Sequence, residues 1–300
     1  MTATLAALLP APAPADLDPV ALAAAITRAS GTSFGPGMAI LPRTRREGMH
    51  AVYAFCRMVD DIADGPFPAA DKHAALAAWG EEIGRLYAGQ PRSAVGRALQ
   101  PAITSFALPE TEFRLMIEGM AMDAHGPIVA PVREQLARYT RRVAGSVGAL
   151  SMRIFGAWRG DVSDRFAHAL GDAFQLTNIL RDIEGDAAIG RLYLPREMLD
   201  RHGIPPDPQA VPGHPALPAL CRQLGAEARA CYNEARALAS AHSRVRLAPA
   251  LVMMGAYEAY LDRMEARNFA RPLPEPLLGK REKLWHGLRY ALAGPGPARA

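Results

Sequence analysis

The sequence predicts an all-α protein on three observations. Apolar residues recur with helical period from Ala21 to about Tyr290. Neither an alternating strand pattern nor an Asn-Gly hairpin signal interrupts them. The chain has 300 residues, half of them apolar, which supports a large core and argues against disorder.

Helices are predicted over 21–29 and over 43–64, the latter entered after Pro42 and ended by Gly65-Pro66. The next run over 71–88, ended by Gly89, and over 93–106. Pro109 opens a helix over 110–124, and Gly126-Pro127 closes it. Long helices follow over 131–157 and, opened at Ser163, over 163–186. The stretch "GIPPDPQAVPGHPALP", residues 203–218, is too rich in proline for a helix and too short for a domain linker. Helices over 217–241, 248–268 and 280–292 complete the set. There is no tandem repeat. The division expected is a disordered Ala/Pro-rich tail over 1–20, a single all-α domain over 21–293 and a flexible terminus over 294–300.

A formal charge of +4 and a pI near 9.1 are too weakly basic to argue for nucleic acid, but suit an anionic ligand or a membrane surface. The three cysteines form no CxxC pair, and their odd number argues against a disulfide framework and for the cytoplasm. The eight histidines lack zinc-site spacing. The N-terminus has no basic segment ahead of its short apolar run, so it does not read as a signal peptide. No apolar run approaches the ~18 residues of a spanning helix.

Chemistry concentrates in two segments. In "FQLTNILRDIEGDAAIGRLYLP", Gln175, Asn178, Asp182 and Asp186 fall within about 80° of a helical wheel, with Arg181 at the edge. Phe166, Ala173, Leu176, Thr177, Leu180 and Ile183 lie opposite. In "YAFCRMVDDIADG", Tyr53, Arg57, Asp60 and Asp64 fall within about 60°, flanked by Asp61, with Phe55, Met58, Val59 and Ile62 facing away. A merely solvated face favours Glu, Lys and Gln; these stripes carry Asp and Asn, poorer helix formers held close to the backbone. Each aspartate pair is read at the end of its helix, where the helix dipole disfavours carboxylates unless a cation compensates. Oxygen donors one turn apart suit magnesium, which keeps waters and shares its shell with substrate phosphates. Arg57 and Arg181 supply forks for phosphate oxygens. The combination describes an organic-diphosphate site. No Walker or dinucleotide glycine motif points to a nucleotide.

These segments, with "LPRTRREGMHAVYAFCRMVDDIADG", "YTRRVAGSVG" and "QLTNILRDIEGDAAIGRLYLPREML" in order, resemble the squalene/phytoene synthase family of head-to-head trans-isoprenyl diphosphate synthases. The resemblance runs from about Ser30 to Tyr290 and is most similar to the bacterial presqualene diphosphate synthases of hopanoid biosynthesis. It implies an isoprenoid-synthase-type helical bundle around a central cavity, and condensation of two farnesyl diphosphates. Magnesium is the implied cofactor, with manganese as a substitute and NADPH not expected. Downstream hopanoid-pathway enzymes are the partners expected, and the cysteine count and lack of a spanning helix give the expectation of a cytoplasmic protein, at most peripheral to the inner membrane.

Residue by residue, the resemblance makes Asp60, Asp61 and Asp64 the first magnesium motif and Asp182 and Asp186 the second, with Asn178 as a further ligand. Arg57, Arg181 and Ser33, beside Phe34, would contact diphosphate, and Gln175 and Tyr53 line the same faces. Tyr139 matches a tyrosine near the reacting carbons. Val143, Ala144, Val147 and Gly148 would line the prenyl channel. Arg191 and Tyr193 close the site, and Tyr257 joins from a late helix. Three departures stand out. The acid usually found beside the last aspartate has moved to Glu184, about 100° around the helix. Gly35-Pro36 replaces aromatics. A C-terminal arginine that contacts diphosphate is missing, with Arg271 and Lys280 the candidates to replace it.

Cys56 reads as a core thiol. The Arg43, Arg45, Arg46 cluster reads as a solvated face or a phosphate attractor. The basic "KREKLWHGLRYAL", with Trp285 and Tyr290, reads as a membrane-surface helix or a last core helix. The competing functions are phytoene or dehydrosqualene synthase, NADPH-dependent squalene synthase, class I terpene cyclase, and a non-enzymatic acidic metal- or partner-binding bundle.

Overall fold

The structure, a computed structural model, describes residues 4–14 and 16–296. In chain order the helices are α1 Leu5–Leu8, α2 Pro19–Ala29, α3 Gly35–Ala39, α4 Arg43–Asp64, α5 Ala69–Tyr87, α6 Ala94–Phe106 and α7 Glu110–Ala124. Then come α8 Arg133–Thr140, a π-helical turn Arg141–Gly145, α9 Ser146–Ile154, α10 Asp161–Arg181, α11 Ile183–Ala188 and α12 Arg196–Arg201. The last three are α13 Leu217–Ala239, α14 Arg244–Ala266 and α15 Lys280–Ala293. Among the described residues there are isolated bridges but no strand. No helix among them is long and apolar enough to cross a membrane.

Two helices predicted as continuous are broken. The segment 131–157 contains the π-turn between α8 and α9. Here the backbone of α10 comes close: a Cβ on Gly171 would lie 3.1 Å from the Ala144 carbonyl carbon. The segment 163–186 breaks at Asp182, whose φ of −100° and ψ of 12° end α10 and begin α11. The 1–20 tail, read as disordered, contains α1. Leu8 is buried, and its carbonyl accepts a 2.8 Å hydrogen bond from the Trp79 indole. A fully buried tryptophan needs a partner for its N–H, and the tail supplies it. Residues 1–3 and Ala15 of that tail, and 297–300 of the C-terminal stretch read as flexible, lie outside the described residues.

The described chain gathers into two compact units, one within Met1–Gly126 and Ser146–Trp158, the other within Pro127–Gly145 and Arg159–Ala300. In the first, α4 packs against α2, α5, α6, α7 and α9. Phe55 on its buried face meets Trp79 and Phe113 edge-on, with ring centroids 5.6 and 5.3 Å away. The basic cluster opening α4 is absorbed locally. Arg45 donates to the Ile154 carbonyl at the end of α9 and lies over the Phe106 ring. Arg46 donates to the Leu41 carbonyl, and Arg43 pairs with Glu47 in solvent.

In the second unit α10 lies on α13, and α14 on α15. The α14–α15 crossing is close because glycines face each other's backbone. A Cβ on Gly255 would come within 2.4 Å of the His286 carbonyl oxygen, and one on Gly287 within 2.7 Å of that of Val252. Beneath the crossing lies Glu258, 1 % exposed. It accepts from Arg229 at 2.5 Å, from Arg236 at 2.8 Å and from the Tyr290 hydroxyl at 2.6 Å. Removing one member of such a network leaves its partners charged and buried. Glu258→Ala is therefore predicted to cost about 3–5 kcal/mol in denaturant unfolding. Gly255→Ala, which must push α15 away, is predicted to lower the melting temperature, whereas Ala at the exposed Gly185 is predicted to leave it within a few degrees.

Candidate active site

Within the first unit the predicted residues converge on the C-terminal half of α4. Phe55, Val59 and Ile62 are buried, as the wheel requires, and this orients Tyr53, Arg57, Asp60 and Asp64 away from the core. Arg57 pairs with Asp60 at 3.4 Å and, more closely, with Asp61. Asp64 ends the helix exposed, so the unfavourable dipole placement read from the sequence holds here. The Asp60 carboxyl is pushed up to about 7 by desolvation, then by Asp64, with Arg57 opposing and Asp61 and Asp123 adding. Its side chain still exposes 39 % of its surface, so the crowding of carboxylates is the part of that shift the geometry carries. Asp123, buried near the end of α7, was not singled out from the sequence. Its only signal there is an acid inside the apolar run "GMAMDA". Cys56, read as a core thiol, is only half-buried, and desolvation, then Asp60, pushes its thiol up to about 12.

Tyr53 meets the Phe34 ring edge-on at 6.4 Å. Ser33 lies half-buried in the turn before α3, where the Thr32 hydroxyl accepts from the Phe34 backbone N–H at 3.2 Å. Gly35 and Pro36 open α3, so this replacement for aromatic residues builds a short helix that the sequence reading left as loop.

Within the second unit the site is arranged around the α10–α11 break. Asn178, Asp182 and Asp186 remain one turn apart, because the Asp182 N–H donates to the Asn178 carbonyl and the Asp186 N–H to that of Asp182, both at 2.8 Å. The dipole reading changes, however. Asp186 lies in the first turn of α11, the favourable end, and only Asp182 sits at a helix C-terminus. Arg181 grips Asp182 with two hydrogen bonds, 2.7 and 2.6 Å, and its guanidinium lies 5.1 Å from the Tyr260 ring, an aromatic the sequence reading missed. Tyr257 stacks at 4.4 Å on Phe174. Its hydroxyl pKa is raised by burial, against the opposing effects of Arg181 and of a hydrogen bond with Asn178. Gln175 is half-buried on the same helix.

Tyr139 and Tyr193, distant in sequence, stack with centroids 5.3 Å apart. The Arg191 N–H closes the turn after α11 on the Asp186 carbonyl at 2.8 Å. Val143 and Ala144 lie half-buried in the π-turn; π-turns recur at functional sites. Val147 and Gly148, half-buried on α9, belong to the first unit.

The displaced acid has a defined partner. Glu184 pairs at 2.8 Å with Arg271, whose side chain is only 6 % exposed and which also donates to the Leu180 carbonyl. Arg271 thus bridges the last turn of α10 and the first turn of α11. Lys280, the other candidate for the missing arginine, is the exposed first residue of α15.

The donors suit a hard divalent cation. They are carboxylate and amide oxygens throughout, and the Asn178 Oδ1 is buried with no hydrogen-bond partner. No group of three or more His, Cys, Asp or Glu among the described residues is gathered closely enough to hold a metal alone. Magnesium is usually held by one or two carboxylates, with water and substrate phosphates completing its shell.

The squalene/phytoene synthase family model matches residues 27–282. The presqualene diphosphate synthase of Rhodopseudomonas palustris is 42 % identical over 265 residues, covering 88 % of this chain and 94 % of that protein. That of Zymomonas mobilis is 40 % identical over 267 residues, covering 89 % and 91 %. The phytoene synthase of Thermus thermophilus is 34 % identical over 245 residues, covering 81 % and 82 %. Among solved structures, a dehydrosqualene synthase superposes with a TM-score of 0.81 at 26 % identity, over 92 % of this chain and 95 % of that one. The squalene synthase of Alicyclobacillus acidocaldarius superposes at 0.78 with 29 % identity, over 85 % and 95 %. With the family model matching residues 27–282 and relatives matching over most of their length, the chain belongs to the squalene/phytoene synthase family.

Proposed function

We propose that this protein condenses two molecules of farnesyl diphosphate head to head into presqualene diphosphate, with magnesium. The observation that carries the reading is the 40–42 % identity to presqualene diphosphate synthases over most of the chain, against 34 % to the Thermus phytoene synthase.

Asp60, Asp61 and Asp64 in one unit, and Asn178, Asp182 and Asp186 in the other, are the groups that would hold magnesium. When bound, the metal supplies positive charge that favours departure of diphosphate. Arg57 and Arg181 are each paired with a neighbouring aspartate, so each couple offers one anion-binding fork beside one cation-binding carboxylate. In the reaction the guanidinium forks bind the diphosphate oxygens and stabilise the charge that grows as the allylic C–O bond breaks. The carbon freed is attacked by the double bond between carbons two and three of the second substrate. Loss of a proton then closes the cyclopropane. The base would be Tyr139, which stacks on Tyr193, or the departing diphosphate. Val143, Ala144, Val147 and Gly148 exclude the water that would capture the cation.

Asp60→Asn and Asp182→Asn are each expected to lower turnover of farnesyl diphosphate at limiting magnesium by about a hundredfold or more, with helix content unchanged. Full activity in both would remove the assignment. Arg271, tied to Glu184 and Leu180, would hold the second motif in place. Arg271→Ala is expected to raise the magnesium concentration for half-maximal activity by about tenfold, in the range typical when a group supporting metal ligands is lost. Arg271→Lys is expected to recover part of that loss. An unchanged magnesium requirement in Arg271→Ala would show that the bridge has no part in positioning the motif.

A further inference from the structure

We propose that the outward face of α15 docks this protein on an anionic lipid surface. The helix has two distinct faces. Gly287 and Tyr290 are buried against α14 and Glu258, as a core helix requires. On the outer side Leu284, Trp285, Leu288 and Leu292 are 45, 65, 40 and 76 % exposed. At 100° per residue these four span only about 100° of the helix. Near its C-terminal end, the side chain of Arg244, in the first turn of α14, reaches the Leu292 carbonyl.

Scattered exposed apolar residues need no explanation, but a contiguous patch with a charged rim does. Exposed Lys280, Arg281 and Arg289 border this one, and the sole acid of the helix, Glu282, is paired with Arg263. Leucines and a tryptophan on one helix face with basic residues at its margins match the interfacial layer of a bilayer, where the apolar side chains enter and the cations meet lipid phosphates. A second copy of the chain fits less well, because self-pairing across a two-fold axis would bring the two basic rims together. The inference does not rest on the reaction proposed above.

Truncation before Lys280 would strip Gly287 and Tyr290 from the core, so substitutions on the outer face are the proper test. The full chain is floated with vesicles of phosphatidylcholine alone and of equal parts phosphatidylcholine and phosphatidylglycerol. The variants are Trp285→Ser with Leu288→Ser, and Arg281→Glu with Arg289→Glu. The native chain is expected to float with the anionic vesicles and not the neutral ones. Each double variant is expected to lose about tenfold or more of that binding while keeping the native melting temperature and turnover. No flotation with anionic vesicles, equal flotation with neutral ones, or binding that both variants retain would overturn the proposal. So would a solution dimer that Trp285→Ser with Leu288→Ser dissociates, since that would assign the face to a second copy.

Discussion

Carboxylates gathered at a helix end repel one another, and at a C-terminus they also face the helix's own carbonyls. Both acidic clusters of this protein are built on that constraint, and each meets it with a guanidinium from the same helix: Arg57 for Asp60 and Asp61, Arg181 for Asp182. The compensation is local and incomplete. Desolvation, then neighbouring carboxylates, still pushes the Asp60 carboxyl up to about 7, and the Asn178 oxygen stays buried without a donor. A site left with surplus oxygen donors beside paired arginines is suited to a ligand that is both cation and anion, as a magnesium diphosphate is.

The second cluster depends on an interruption. Had α10 run on to 186 as one helix, Asp182 and Asp186 would both face an unfavourable dipole. The break at Asp182 places Asp186 at the start of α11 instead, while the hydrogen bonds linking 178, 182 and 186 keep all three one turn apart. Arg271 holds the break by accepting the charge of Glu184 and capping the Leu180 carbonyl. The acid displaced from its usual position is therefore not idle: its new place gives it a structural partner.

The helices were legible where local signals fix them. α4 was read over the same residues, 43–64, because Pro42 and Gly65-Pro66 punctuate a strong apolar face. The composition of its outer face likewise identified Arg57, Asp60, Asp61 and Asp64. The break at Asp182 was not legible, since neither glycine nor proline marks it and its partner Arg271 lies 87 residues beyond Glu184. The π-turn was hidden for a similar reason: it answers to the close approach of Gly171 on another helix. Asp123 escaped because a lone acid in an apolar run has no periodic signature, and Tyr260 because its contact with Arg181 joins helices far apart in sequence. The packing of Leu8 was missed because it depends on one indole N–H in α5. Tyr139 and Tyr193 were named separately through the family resemblance, and their stacking, across a long sequence separation, had no signal in the sequence.

The central claim is that these paired clusters serve a head-to-head condensation ending at presqualene diphosphate. The most direct measurement is mass spectrometry of the products formed by the purified chain from farnesyl diphosphate and magnesium, with and without NADPH. The account predicts presqualene diphosphate as the end product under both conditions. Squalene formed with NADPH, a C30 polyene formed without it, or turnover of geranylgeranyl diphosphate alone would contradict it.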